Sequence, residues 1–129
     1  MKKFAFLFSA LIILFLFIQG CGSKPSTPED LVKDFMKKVE NNDKGAIDYI
    51  SKSTVTLLGK EKIDAGIEKQ SEQIKQKGGI KEIVFGGKKE KKDGILELRY
   101  EILFNDGTSK KDKVFVVKED GDWKITASK

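Results

Sequence analysis

The residue types able to do chemistry are few. The chain has one thiol, Cys21, and no histidine. Without imidazole there is no Ser-His or Cys-His nucleophile pair, and the commonest neutral metal ligand is missing. A single cysteine excludes an intramolecular disulfide, so the fold must rest on packing alone. Cys21 closes the stretch Ile18-Gln19-Gly20-Cys21. A thiol there is a nucleophile open to covalent modification, and its neighbour Gly20 is small.

What precedes Cys21 sets its role. Met1-Lys2-Lys3 is a basic tip, and Phe4 to Ile18 is a 15-residue run whose one polar member is Ser9. A permanent membrane span takes about 20 apolar residues, whereas the apolar region of a signal peptide takes about 7–15. Ile18, Gly20 and Cys21 resemble the bacterial lipobox, with Gln19 a less common occupant of its middle position. The resemblance implies a signal peptide over 1–20, cleavage before Cys21, and acylation of Cys21. Its thioether-linked diacylglycerol would supply the two chains that stable anchoring requires. An ordinary secretory signal with a stray cysteine, or a short signal anchor, is the alternative. Residues 21–27 then form the lipidated cysteine and a short tether. Gly22-Ser23-Lys24-Pro25-Ser26-Thr27 is polar and proline-broken, a flexible spacer. The expected location is the extracytoplasmic face of a membrane, with membrane lipid as partner through Cys21.

Other side chains offer less. Asp48 and Asp64 fall on expected helices, and a catalytic carboxylate must be buried with a shifted pKa. Lys88-Lys89-Glu90-Lys91-Lys92 is a hairpin tip by its mixed charge, although it could meet lipid headgroups. No aromatic is interleaved there, and the +5 net charge, +3 once Lys2 and Lys3 leave, is too small for a nucleic-acid surface. No nucleic-acid partner, cofactor or metal is expected.

The elements that must position these residues follow from periodicity. Removing 20 residues leaves 109 of 129, one domain. It spans 28–129. Thr27-Pro28-Glu29-Asp30 starts a helix, with Thr27 as cap, Pro28 in the first position and two acids at the positive dipole end. Leu31, Val32, Phe35, Met36 and Val39 make its buried stripe. Asp43 caps a short second helix with Ala46, Ile47, Tyr49 and Ile50. Ser51 to Gly59 admits both helix and strand, with Val55, Leu57 and Leu58 expected to be buried. Ile63, Ile67 and Ile74 mark a third helix over 60–76, stopped by Gly78-Gly79.

The period then changes to two. Ile80 to Phe85 starts a strand, and Gly86-Gly87 suggests a bulge. Leu96, Leu98, Tyr100, Ile102 and Phe104 share one face, with Glu97, Arg99 and Glu101 on the other. Arg99 and Glu101 are expected to pair across strands. Val114 to Val117 suits an inner strand, and Trp123, Ile125 and Ala127 a closing one. Turns at Asp93-Gly94, Asn105-Asp106-Gly107 and Asp120-Gly121 make an antiparallel meander. The fold class is α+β: three N-terminal helices packed on a curved antiparallel sheet of about four strands.

This pattern resembles the cone-shaped fold of nuclear transport factor 2 (NTF2-like, related to cystatin-like folds). In particular it is similar to small bacterial lipoproteins carrying an NTF2-like domain of unknown function. The likeness rests on Thr27 to Met36, on Asn42-Asp43-Lys44-Gly45-Ala46, and on Val114-Phe115-Val116-Val117-Lys118 before Gly121-Asp122-Trp123-Lys124-Ile125. It implies a cone between helices and sheet, with a pocket at Phe35, Tyr49, Leu98, Tyr100 and Ile102. The superfamily holds enzymes, ligand binders, immunity proteins and scaffolds. With no convincing catalytic set, the expected function is a non-catalytic domain binding an envelope protein or a small apolar ligand. Two alternatives are a hydratase or isomerase on a small apolar substrate, and an immunity or inhibitor protein. A partner-binding face is expected on the outer sheet surface at Ile83, Phe85 or Leu103.

Overall fold

The computed structural model describes residues 24–127. The leader, the cleavage site and Cys21 lie outside the described residues. Helix α1 is Pro28–Glu40, opened by Thr27, whose hydroxyl accepts the Asp30 N–H at 3.1 Å. Leu31, Val32, Met36 and Val39 are its buried stripe, as their spacing predicts.

The chain then turns tightly. Asn42 takes a positive φ of 52°, and Asp43 accepts the Gly45 N–H at 2.8 Å. The expected second helix is a 3-10 helix, Lys44–Tyr49, with Ala46 buried. The ambiguous stretch is helical: α2 is Lys52–Leu58, capped by Ser51, whose Oγ accepts the Thr54 N–H. Its packing departs from expectation. Leu57 is 74% exposed and Leu58 45% exposed. A seven-residue helix buries one narrow stripe, here Thr54 with Val55 half-buried, so both leucines fall outside it. Gly59, at φ +86°, ends α2 and α3 runs Lys60–Gln76, with Ile63, Ile67, Ser71 and Ile74 buried.

Gly78 and Gly79, both at positive φ, turn the chain into the sheet. Strands β1 (Ile80–Glu90), β2 (Leu96–Phe104), β3 (Ser109–Glu119) and β4 (Asp122–Thr126) form a four-stranded antiparallel meander in sequence order. β2 and β3 are the inner strands. The register shifts between Phe85 and Lys88, which is the bulge that Gly86-Gly87 suggests. Asp93, at φ 62°, and Asp120, at φ 53°, each precede a left-handed glycine in the two tight turns.

Leu98, Ile102 and Phe104 are buried on the inward sheet face against Val32, Met36, Val39, Ala46, Ile63, Ile67 and Ile74, and Val116 is buried on the same face of β3. One edge is extended: Ile50 pairs in parallel with Ile125, and the Ser51 N–H donates to the Ile125 carbonyl at 2.8 Å. Register places Ile83 opposite Ile102 and Phe85 opposite Tyr100, so both face the core. This corrects the expectation of Ile83 and Phe85 on the outer face. Leu103 is on that face as expected, with Val84, Phe115 and Val117 as further apolar residues, and Val84 is 46% exposed.

Candidate functional site

The five expected pocket residues separate into two groups. Leu98 and Ile102 are core, buried against the helices. Phe35 and Tyr100 are half-buried and pack on that core. Tyr49 is half-buried on the 3-10 helix. Beside Tyr100 and Ile102 a small space of about 60 Å3 is bounded by Met36, Gln73, Ile74, Tyr100, Ile102 and Asp112.

Tyr100 is the polar group of this region. Its ring lies 6.5 Å from Phe85, tilted by 53°, and Lys33 of α1 sits 5.8 Å over the Phe85 ring. Burial, with the Asp112 carboxylate on the neighbouring strand adding to it, pushes the Tyr100 phenol up to about 12. Its hydroxyl has no hydrogen-bond partner among the described residues. A phenol held neutral is a poor base at ordinary pH.

The expected acids do not converge on it. Asp48 lies on an outer groove of about 740 Å3 with Ile47, Ile50, Val55, Glu119, Asp120 and Lys124. Asp64, on α3, has its Oδ1 buried without a hydrogen-bond partner. The described residues contain no His, Cys, Asp and Glu group able to hold a metal ion.

A hydroxyl cluster joins α2 to β4. Ser51 Oγ donates to Thr54 Oγ1 at 2.9 Å and to Thr126 Oγ1 at 3.2 Å as alternatives, and Thr54 Oγ1 accepts the Ala127 N–H at 2.9 Å. These hydroxyls bond to one another and to backbone, a tie between helix and sheet edge. They line a groove of about 490 Å3 with Leu57, Ile95, Val117 and Lys118.

The outer sheet face carries a depression of about 530 Å3, lined by residues 84–86, 99–101 and 111–113 on three adjacent strands. A Cβ at Gly86 would lie 3.8 Å from the Arg99 Cβ. Gly86 therefore faces the same way as Arg99, and its missing side chain opens the surface between Val84 and Arg99. Lys111 and Lys113 stand beyond. Glu97, 4% exposed, places one carboxylate oxygen 3.5 Å from Lys113 Nζ and the other 3.8 Å from Arg99. In place of the cross-strand pair expected of it, Arg99 pairs with Glu97, two residues along the same strand and on the same face, while Glu97 makes the cross-strand pair with Lys113. Alternation placed Glu97 on this face, but nothing in the pattern marked it as buried.

Known proteins place the chain. No curated protein matches it. The family model described as a domain of unknown function, DUF4878, matches residues 19–126. A solved crystal structure from Campylobacter jejuni, of a protein provisionally named an NTF2-like transpeptidase, is 28% identical. It covers 80% of this chain and 100% of its own, with a TM-score of 0.69. The architecture of helices on a four-stranded antiparallel sheet is shared with that NTF2-like neighbour. With almost the whole described domain inside the match, the chain belongs to the DUF4878 family of domains of unknown function.

Proposed function

We propose that this chain is a lipid-anchored protein of the extracytoplasmic membrane face whose NTF2-like domain binds an envelope protein and catalyses no reaction. The observation that supports the non-catalytic part is the packing at the expected pocket, where Leu98 and Ile102 are buried in the core. About 60 Å3 beside Met36, Tyr100 and Ile102 falls well short of the roughly 300–1,000 Å3 of a ligand pocket. That argues against an apolar ligand, or a hydratase or isomerase site, at this expected pocket. The anchor is supported by Ile18-Gln19-Gly20-Cys21 behind a short basic-tipped apolar run.

The name of the Campylobacter jejuni protein raises acyl transfer as a second reading. That chemistry needs a nucleophile with a base in hydrogen-bond reach. Here the clustered hydroxyls of Ser51, Thr54 and Thr126 are engaged with one another. The proposal therefore keeps to binding, with the depression around Val84, Arg99, Lys111 and Lys113 as the contact face.

Affinity capture of the full-length chain from detergent-solubilised membranes tests this, run beside an Arg99→Glu, Lys113→Glu variant. The reading expects a stoichiometric protein partner that the variant loses. A chain that retains no partner, or one that carries a tightly held small molecule by native mass spectrometry, contradicts it.

A further inference from the structure

The first described residues lie against one end of the sheet. Lys24 Nζ lies 3.0 Å from Asp122 at the start of β4. Glu29, in the first turn of α1, lies 2.7 Å from Lys88 near the end of β1. In this meander the β1–β2 and β3–β4 turns share that end, and the Asn105–Gly107 turn occupies the opposite one. Leu57 belongs to the first end, since it lines one groove with Asp93, Ile95 and Lys118.

We infer that this end of the domain, with Leu57 and Leu58 at its tip, rests on the lipid surface of the membrane. The inference builds on the lipid-anchor reading proposed above. Two residues, Gly22 and Ser23, lie between Cys21 and Lys24, a reach of at most about 11 Å when extended. An acylated Cys21 therefore holds the Lys24–Asp122 contact, and the surface around it, close to the headgroups.

The chemistry of that surface suits lipid. Leu57 and Leu58 are 74% and 45% exposed on consecutive positions of α2, an apolar tip that the interface can receive. Most acids nearby are already met. Glu29 pairs with Lys88, Asp122 with Lys24 and Asp120 with Lys52, and Glu119 accepts the Lys52 N–H at 3.2 Å. What remains is Lys89, Lys91, Lys92 and Lys118 against Glu90, Asp93 and Glu119, whose bond to a backbone N–H leaves its charge in place, a small cationic surplus complementary to anionic headgroups. Lys118 lies 5.2 Å over the Trp123 ring, at the same end.

The test uses the full acylated chain in vesicles of phosphatidylglycerol and phosphatidylcholine. A fluorophore is placed at Thr56→Cys, beside the leucines, or at Lys110→Cys towards the far end of β3, since an acylated Cys21 leaves only the engineered thiol free. Lipid-borne quenchers should act several-fold more strongly at position 56 than at 110. Adding Leu57→Glu and Leu58→Glu should bring position 56 down towards the level at 110. Equal quenching at the two positions in protein shown by mass to be acylated overturns the orientation and leaves the anchor standing. A mass without acyl chains overturns the anchor, and this inference with it.

Discussion

Oε1 of Glu40, the last residue of α1, accepts the backbone N–H of Ile80, the first residue of β1, at 3.0 Å. The backbone carbonyl of the same residue accepts the Ser71 hydroxyl of α3 at 3.1 Å. One residue thus ties both long helices to the start of the sheet. Gly79 lies against it, where a Cβ would stand 3.0 Å from that carboxylate oxygen. Replacing Glu40 with alanine strands a part-buried N–H, which costs about 1–3 kcal/mol. Urea unfolding should report that loss for Glu40→Ala and a smaller one for Glu40→Gln, which keeps an acceptor. An alanine variant as stable as the parent would contradict the role.

Ser51 caps α2 and heads the hydroxyl cluster with Thr54 and Thr126. Ser51→Ala removes a cap and a buried bond together, at about 1–2 kcal/mol. Amide hydrogen exchange should show faster opening confined to α2 and the Ile50–Ile125 edge. Uniform protection would count against the tie.

The two faces of the domain predict opposite responses to leucine truncation. Leu98 is fully buried in the core, so Leu98→Ala should cost about 2–5 kcal/mol. Leu57 is an exposed position, so Leu57→Ala should stay within about 0.5 kcal/mol of the parent. Denaturation midpoints measured side by side decide it, and a strongly destabilised Leu57→Ala would contradict the exposed tip.

Tyr100 makes a pH prediction. Its phenol titrates at about 12 in the fold because burial, and then Asp112, disfavour the charged form, against about 10 for an unperturbed tyrosine. The native state holds its proton more tightly than the unfolded chain. The stabilisation is therefore fully present below pH 10 and is lost as pH rises through about 12. Tyrosinate absorbance should show one group titrating late, and Tyr100→Phe should flatten the alkaline decline in stability. A Tyr100 signal complete by pH 10 would contradict the burial argument.

Much of the fold was legible because its signals are local. Thr27-Pro28, the α1 stripe, the change of period after Gly79 and the three Asp-Gly or Asn-Asp-Gly turns each specify geometry within a few residues. α2 resisted reading because seven residues hold too few positions to separate periods of 3.6 and 2. The same shortness left Leu57 and Leu58 outside its buried stripe. Ile83 and Phe85 were misplaced because a strand's inward face is set by pairing with its neighbour, here Ile102 and Tyr100, which adjacent residues do not encode. The candidate pocket was least legible of all. Whether Tyr100 and Ile102 border a cavity depends on how far Met36 and Ile74 reach across, a property of packing between distant segments.

The proposed anchoring of this domain through Cys21 is tested by subcellular fractionation of the full chain beside its Cys21→Ser variant. The parent should be found in the membrane fraction, extracted by detergent and carrying acyl chains by mass, with the variant lost from that fraction. A Cys21→Ser protein that stays fully with the membrane would contradict it.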